Sequence, residues 1–373
     1  MTLPPVPFVS VALHLYIGAR LVPALPSLPA GVAVSALLVA SAVLVPAGLM
    51  ARRYLQPPAA DRLTWVGMLF MGLFSSLFVL TFLRDLLLLG FAIAGDAPAD
   101  LRADSAIAVL LLALGLTALG YFNARRTAAV RRVQVPLPSL DPALAGFRIV
   151  QISDIHVGPT IKQDYLQAIV ERVNALDPDV IAITGDLVDG SVPELAQHVA
   201  PLAGLRARHG VYFVTGNHEY YSGVHGWVAE LQRLGIRVLH NEHVVLSHDG
   251  ASLVLAGVTD YTAHLFDPAH RSDPAAALAG APEGVTRVLL AHQPRTAPAA
   301  ALAGFDLQIS GHTHGGQFLP WSLFVPLQQP YVAGLHQLGR MRIYVSRGTG
   351  YWGPPKRVAA PSEISELLLA ASG

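Results

Sequence analysis

Five clusters of polar residues in this sequence fall at one kind of place, directly after a short run rich in Val, Ile, Leu or Phe. FRIVQIS runs into DIH, with Asp154 and His156, and DVIAIT runs into GD, with Asp186. GVYFVT runs into GNHE, with Asn217 and His218; TRVLLA ends in His292; DLQIS runs into GHTH, with His312 and His314. Each cluster alone is weak, because GD and GN also make good turns and a single His after a strand is more often a hydrogen-bonded core residue. Five in succession form a donor set. The chain has no cysteine, which removes disulfides and thiolate sites and leaves His, Asp, Glu and Asn as the strong ligands. Imidazole and carboxylate without thiolate suit Mn, Fe or Zn. Two such ions, about 3.5–4 Å apart and sharing one carboxylate, can polarise a phosphoryl group and stabilise the attacking and leaving oxygens in line. A histidine beside the asparagine can donate to the leaving oxygen as a general acid. His312 and His314 need not grip the same ion, and the glycines after them leave room for a phosphate.

A sheet must position these donors, since loops at the carboxyl ends of its strands share one edge. The Val- and Ile-rich runs from about residue 147 alternate at first with helix-like segments, QDYLQAIVERVNAL and a second that starts at Pro193-Glu194. That alternation predicts strands covered by helices. The later runs, RVLHNEHVVLS, ASLVLAGVT, TRVLLAH, DLQISG and MRIYVSRG, look more hairpin-like.

The first third has a different texture. Hydrophobic residues make up 53% and charged residues 13% of the 373-residue chain, and the mean hydropathy is +0.47, values that point to a membrane component. Uncharged blocks at 30–50, 64–83 and 105–123 each approach the roughly 20 residues that cross a bilayer. A weaker block, 7–23, carries His14 and Arg20. It is read as the first of four spans rather than a cleaved signal, because no basic residue precedes it and further spans follow. The third block continues through Arg84 and Asp85 into 86–95, too long for one straight crossing, so part of it should tilt, kink or emerge. The pair is expected at the outer interface, with burial among the helices as the sharper alternative. Arg52, Arg53 and Arg62 follow the second block, and Arg125, Arg126, Arg131 and Arg132 the fourth. This bias predicts that the segment after residue 123 is cytoplasmic. The chain therefore divides into a membrane domain (1–124), a basic, Pro-containing linker (125–145) and a second domain (146–373). Lys plus Arg and Asp plus Glu both number 25, so no bulk charge advertises nucleic acid.

The series DIH, GDLVDG, GNHE, His292 and GHTH resembles the five-block signature of the calcineurin-like metallophosphoesterases. The resemblance covers about residues 147–370. GNHEYY, GHTHGGQ and SRGTGYWGPP (346–355) are similar to a bacterial branch of membrane-attached phosphoesterases, related to those acting on lipid-linked phosphodiesters. It implies a four-layer α/β/β/α sandwich, an α/β metallophosphoesterase domain behind an α-helical membrane domain. It implies Asp154, His156 and His314 on one divalent ion, Asn217, His292 and His312 on a second, Asp186 on both, and His218 as the acid. It further implies a metal-bound hydroxide that attacks a phosphodiester or phosphomonoester, in a multi-pass protein of the bacterial inner membrane. The pyrophosphatases that cleave UDP-diacylglucosamine usually carry arginine where this chain has His218, which weakens a direct assignment to them.

Around these residues, Asp189 and Glu219 are read as either ligand-orienting groups or solvated turn residues. Tyr220, Tyr221 and Trp352 are candidates for the pocket wall, and Arg347, Lys356 and Arg357 for substrate phosphate or anionic headgroups. The expected partners are membrane lipids and a phosphorylated, lipid-linked substrate, without nucleic acid; oligomeric state is left open. Two alternatives compete: a transporter or receptor whose second domain only binds a phosphorylated ligand, and a nuclease or nucleotide phosphodiesterase.

Overall fold

The structure, a computed structural model, describes residues 6–96, 98–138 and 140–371. It divides into two compact units. One comprises Met1–Arg125 together with Phe318–Pro320 and Gly353–Val358; the other comprises the remainder from Arg126.

The first unit contains α1 (Val6–Leu21), α2 (Leu28–Tyr54), α3 (Ala59–Ala94) and α4 (Leu101–Arg125). All four are long and apolar enough to cross a membrane. Ser27 caps α2 by accepting from the Ala30 amide, and Gly95, at φ 73°, ends α3 in the left-handed conformation. The backbones of α2 and α3 touch at a glycine pair: a Cβ on Gly67 would lie 2.6 Å from the Leu44 carbonyl oxygen and 2.7 Å from the Gly48 Cα. Small residues give membrane helices this close approach.

The block expected to tilt, kink or emerge is one uninterrupted helix, α3, of 36 residues, which removes the kink among the three. At 1.5 Å per residue it is about 54 Å long. Arg84 is buried rather than snorkelling. It donates from Nε to Ser105 Oγ (2.9 Å), from Nη2 to the Arg102 carbonyl (2.9 Å) and from Nη1 to the Arg20 carbonyl (3.2 Å). Asp85 accepts from the Tyr16 hydroxyl (2.8 Å) and Arg20 Nε (2.9 Å). The Arg20 carbonyl belongs to the last turn of α1, where carbonyls lack helical donors, and that demand draws the guanidinium inward. His14 bridges the Ser10 carbonyl (2.7 Å) and Ser41 Oγ (2.8 Å). The weakest of the expected spans thus satisfies its polar groups internally.

The second unit runs β1 (Ala129–Leu137), β2 (Arg148–Ile152), α5 (Gln163–Asn174), β3 (Val180–Ile183), α6 (Val192–Val199), β4 (Val211–Phe213), α7 (Asn217–Tyr221), α8 (Val224–Arg233), β5 (Arg237–Val238), β6 (Glu242–His248) and β7 (Ala251–Gly257). It continues with α9 (Pro274–Ala277), β8 (Thr286–Leu290), α10 (Ala297–Ala303), β9 (Leu307–Ser310), α11 (Trp321–Gln328), β10 (Gly334–Leu338), β11 (Met341–Val345) and β12 (Glu363–Ala371). Two six-stranded sheets result, ordered β1-β12-β2-β3-β4-β5 and β10-β11-β9-β8-β7-β6. β2 to β5 are parallel. In the second sheet β7, β8, β9 and β11 are parallel, and only the β6–β7 and β10–β11 pairs are antiparallel.

The sheets face each other across a core in which Ile149, Val180, Ala182 and Tyr212 of the first join Leu253, Leu255, Leu290 and Ile309 of the second. The outer face of the second sheet packs Ala256, Leu289 and Ile343 with Ala277 of α9 and Ala297 and Ala300 of α10. Helix α5 buries Leu166, Ile169, Val170 and Val173, and α6 buries Leu195 and Val199. The expected α/β/β/α layering is present.

Three details depart from the sequence reading. The run RVLHNEHVVLS divides into β5 and β6, which belong to different sheets; Asn241, at φ 55°, turns the chain between them. Within the stretch expected to be a linker, residues 129–137 form β1, paired in parallel with β12 from Ala129↔Glu363 to Leu137↔Ala371. As an edge strand it tolerates Pro136, whose missing amide needs no partner there. Two segments expected in the second domain, Phe318–Pro320 and Gly353–Val358, pack with the helices instead.

Candidate metal centre

Every donor cluster emerges where a strand of the second unit ends. Asp154 and His156 follow β2, Asp186 follows β3, Asn217 and His218 follow β4, His292 follows β8, and His312 and His314 follow β9. The edges of the two sheets bring them together in two groups. His156 Nε2 lies 3.0 Å from His314 Nε2, and His314 Nε2 lies 3.6 Å from Asp154 Oδ1. His292 Nε2 lies 3.2 Å from both His312 Nδ1 and Asp186 Oδ2. Asp186 Oδ2 also lies 4.0 Å from His156 Nε2 and 3.9 Å from His218 Nε2, so it stands between the groups. Asp154, His156 and His314 form one set of ligand atoms close enough to hold an ion; Asp186, His292 and His312 form another. His312 and His314 do face different neighbours, as their spacing allowed.

The backbone is bent to achieve this. Asp154, His156, Asp186, His312 and His314 have φ between 51° and 70°, the left-handed region that costs a non-glycine residue about 1–2 kcal/mol. Gly311 is required by crowding: a Cβ there would overlap the Asp154 carboxylate and the Ser153 hydroxyl. Of the glycines read as leaving room for a phosphate, Gly315 does not line the cavity above these donors and Gly316 does. Their φ values are 59° and 80°, and added Cβ atoms would meet Arg347 Cγ and Ser322 Cβ, so they permit a turn and close packing.

Two carboxylates hold this arrangement from behind, which resolves the open reading of both. Asp189 Oδ1 accepts from His156 Nδ1 (3.0 Å) and His218 Nδ1 (2.6 Å), leaving each Nε2 on the metal side. Glu219 is buried. Its Oε2 accepts from the amides of Asp186 (3.0 Å) and Gly216 (2.6 Å), and its Oε1 from that of Leu187 (2.8 Å). It therefore joins the loop carrying Asp186 to the loop carrying Asn217.

The electrostatics follow from burial and charge. Burial alone would raise the Asp186 carboxyl, but His292 and His218 hold it well below the usual carboxylate range. Burial likewise opposes the His218 cation, yet Asp186 and Asp189 outweigh it and lift the imidazole to about 9. Burial and the neighbouring His292 push His312 down to about 3, so its ring is neutral with a lone pair to give. Asn217 Oδ1 is buried without a hydrogen-bond partner. An orphaned acceptor costs about 1–3 kcal/mol, which a cation at that point would recover. The residues fit divalent metal: hard oxygen and imidazole donors, one acceptor with nothing else to bind, and two sets meeting at one carboxylate.

A cavity of about 410 Å³ opens onto these groups, bounded by Tyr221, Gln317, Trp321, Val325, Gln329 and Trp352 among others. Of the residues proposed for its wall, Trp352 and Tyr221 are there, and Tyr221 lies edge-on to the His218 ring at 5.2 Å. Tyr220 is not. It is buried, with its hydroxyl 2.9 Å from His270 Nδ1. Arg347 does not line the cavity either; it donates to Glu363 Oε2 at 3.0 Å. Lys356 and Arg357 are buried rather than surface charges. Lys356 Nζ donates to the Gly72 carbonyl (2.6 Å), Ser76 Oγ (2.7 Å) and Ser75 Oγ (3.2 Å) of α3. The sequence reading missed the α11 wall, because LPWSLFVPLQQ carries no ionisable group; its uncharged apolar run directly after GHTHGGQ was the available signal.

Residues 147–316 match the family model of the calcineurin-like phosphoesterases. An uncharacterized metallophosphoesterase of Campylobacter jejuni is 34% identical over 299 residues, 79% of this chain and 78% of that protein. A transmembrane protein with metallophosphoesterase domain from Bos taurus is 41% identical over 288 residues, 74% of this chain, and the match spans 65% of the bovine protein's length. Among solved structures, a 5'-nucleotidase precursor from Thermus thermophilus superimposes with 17% identity and a TM-score of 0.39, covering 60% of this chain and 54% of its own. The chain belongs to the calcineurin-like metallophosphoesterase family.

Proposed function

We propose that this chain is a membrane-anchored dinuclear-metal phosphohydrolase that cleaves a phosphodiester or phosphomonoester of a phospholipid or lipid-linked molecule. The observation that carries the reading is Asp186, a carboxylate within about 4 Å of His156 of one ligand set and of His292 of the other, and of His218 beside them. In this reading Asp154, His156 and His314 hold one ion, and Asn217, His292 and His312 the other, with Asp186 common to both. Divalent ions there, Mn, Fe or Zn, supply Lewis acidity toward a phosphoryl oxygen and an activated water. The chain's own part is orientation and proton transfer. Asp189 fixes the His156 and His218 rings, and His218, protonated beside two carboxylates, donates from Nε2 to the departing oxygen.

The lipid assignment is supported by four helices able to cross a membrane and by the apolar wall of the cavity. The arginines between α2 and α3 and after α4 favour a cytoplasmic catalytic domain in the inner membrane of a bacterium. Arg84 and Asp85 are satisfied by the groups around them, which favours a structural role over transport.

The test uses the full chain in detergent, stripped of metal and reloaded in turn with Mn²⁺, Fe²⁺ or Zn²⁺, on bis(p-nitrophenyl) phosphate. Metal-dependent turnover abolished by chelator is expected. No turnover with any of the three would overturn the proposal.

A further inference from the structure

Helix α11 has two unlike faces. Trp321, Val325 and Gln328, spaced one and two turns apart, line the cavity above the metal centre, with Gln329 just past the helix. On the other side Leu323 and Leu327 are 65% and 79% exposed, and Phe324 is 49% exposed. The helix has no charged residue and buries none of its side chains. No other α-helix of the second unit presents more than one exposed large apolar side chain among the described residues. Such a cluster marks a surface that meets something apolar.

The chain itself indicates what that is. Pro320, the residue before α11, ends a segment that packs with the membrane-crossing helices, where Ser75 Oγ of α3 donates to the Leu319 carbonyl at 3.0 Å. The second such segment, Gly353–Val358, directly follows Trp352 and is held on α3 by Lys356 at Gly72, Ser75 and Ser76. The same segment meets α4 near its charged end: the Arg357 amide donates to the Gly120 carbonyl (2.9 Å) and Asn123 Nδ2 to the Arg357 carbonyl (3.3 Å), at positions five and two residues before Arg125, the first charge after the uncharged stretch of α4. At 1.5 Å per residue that is about 3–8 Å along a helix able to cross a bilayer. Phe318 of the first segment lies beside the second, its ring 5.3 Å from Lys356 Nζ, so both segments are tied near the end of an apolar span, where hydrocarbon gives way to headgroups. Each continues directly into a half-exposed tryptophan, Trp321 or Trp352, that lines the cavity. Tryptophan is the side chain favoured where hydrocarbon meets headgroups, and headgroup phosphates lie at that level.

We infer that α11 is an interfacial helix: Leu323, Phe324 and Leu327 enter the lipid of the membrane that α1–α4 cross, and the opposite face passes a lipid-borne phosphate to the metal centre. The occupant of the exposed face is bilayer lipid. The entry role rests on the lipid reading proposed above; the insertion does not.

The native chain lacks cysteine, so single variants take one label. Full-length Leu323→Cys, Leu327→Cys and, as control, Glu283→Cys are labelled with an environment-sensitive nitrobenzoxadiazole and reconstituted in phosphatidylcholine–phosphatidylglycerol vesicles. Glu283 sits in the exposed turn before β8, at the end of that strand away from His292. Spin-labelled lipid is expected to quench the labels at 323 and 327 but not that at 283. Water-exposed emission at both sites, or shifted emission that lipid cannot quench, as burial against a second protein would give, overturns insertion. The triple variant Leu323→Ser/Phe324→Ser/Leu327→Ser then separates entry from chemistry. Turnover of soluble bis(p-nitrophenyl) phosphate should stay within about two-fold of the native chain. Turnover of a diacylglycerol p-nitrophenyl phosphodiester in vesicles should fall about ten-fold, the effect of losing part of the burial of three apolar side chains. Equal loss on both probes, or loss on neither, overturns the entry role. A native chain that cleaves the soluble diester but never the lipid one refutes the lipid reading and the entry role with it; the quenching result still decides insertion.

Discussion

Replacing Asp189 with asparagine should weaken metal binding and proton donation together, because one oxygen serves both. Asp189 Oδ1 accepts from His156 Nδ1 at 3.0 Å and His218 Nδ1 at 2.6 Å. Asparagine can present a carbonyl oxygen in the same place, so the bonds survive but the charge does not. A hydrogen bond to a charged group contributes about 1.5–3 kcal/mol and a neutral one about 0.5–1.5. The difference is about 1 kcal/mol per histidine, at the lower end because the side chain is 23% exposed and water screens it. For His156, that loss of about 1 kcal/mol, with the freedom gained by the ring, lowers metal affinity roughly ten-fold, within the usual range for groups behind a ligand.

For His218 the consequence is a shift in pH. Asp186 and then Asp189 lift its imidazole to about 9 against burial; removing one of the two charges lowers that value by about one unit, the equivalent of 1.36 kcal/mol. The protonated form is the donor, so turnover falls as pH rises through the pKa of the His218 imidazole, and in Asp189→Asn that fall should begin about one unit earlier. The assay is kcat against pH on bis(p-nitrophenyl) phosphate at saturating metal, beside a metal titration at fixed pH. Asp189→Ala should exceed Asp189→Asn on both measures. An unmoved alkaline limb together with metal affinity within two-fold of native would refute this account of Asp189.

Glu219→Leu leaves the amides of Asp186, Leu187 and Gly216 unpaired in a buried site. Stability should fall by about 3 kcal/mol or more, read as a lowered unfolding midpoint by the fluorescence of the buried Trp227; an unchanged midpoint counts against the clamp. His218→Ala should keep its metal by elemental analysis and lose about 10²–10⁴-fold in turnover; loss of metal instead would make His218 a ligand. His292 is held well above the ordinary histidine value, since Asp186 overcomes the burial that opposes its charge. It is therefore protonated at neutral pH and must shed that proton to bind an ion. Metal titration calorimetry should show heats that depend on the ionisation enthalpy of the buffer, and apparent affinity that rises with pH; buffer-independent heats would contradict this.

The seven candidate ligands were legible because each follows a strand whose apolar run the sequence displays, and strand ends of neighbouring sheets share an edge. What was not legible depends on partners distant in sequence. Tyr220 and Tyr221 differ by about 100° on α7, and only the packing of His270 against Tyr220 settles which one faces the cavity. Arg347 looked free for phosphate because Glu363, its partner, lies sixteen residues later across a turn. Glu219 read as a possible turn residue because backbone amides, which no sequence displays, are what it binds. Strand β1 was hidden by Arg131, Arg132 and three prolines; Arg132 pairs with Glu366 of β12 at 2.8 Å, a match set by a register the sequence does not show.

The left-handed backbone at Asp154, His156, Asp186, His312 and His314 sets stability against ligand geometry at those five positions. Together they cost several kcal/mol, which the buried sheets and the Glu219 clamp help to offset. The same twist aims each donor at its neighbours, so a substitution that relaxed one of them would steady the chain and misplace a ligand in one stroke, the exchange of activity for stability that such sites invite.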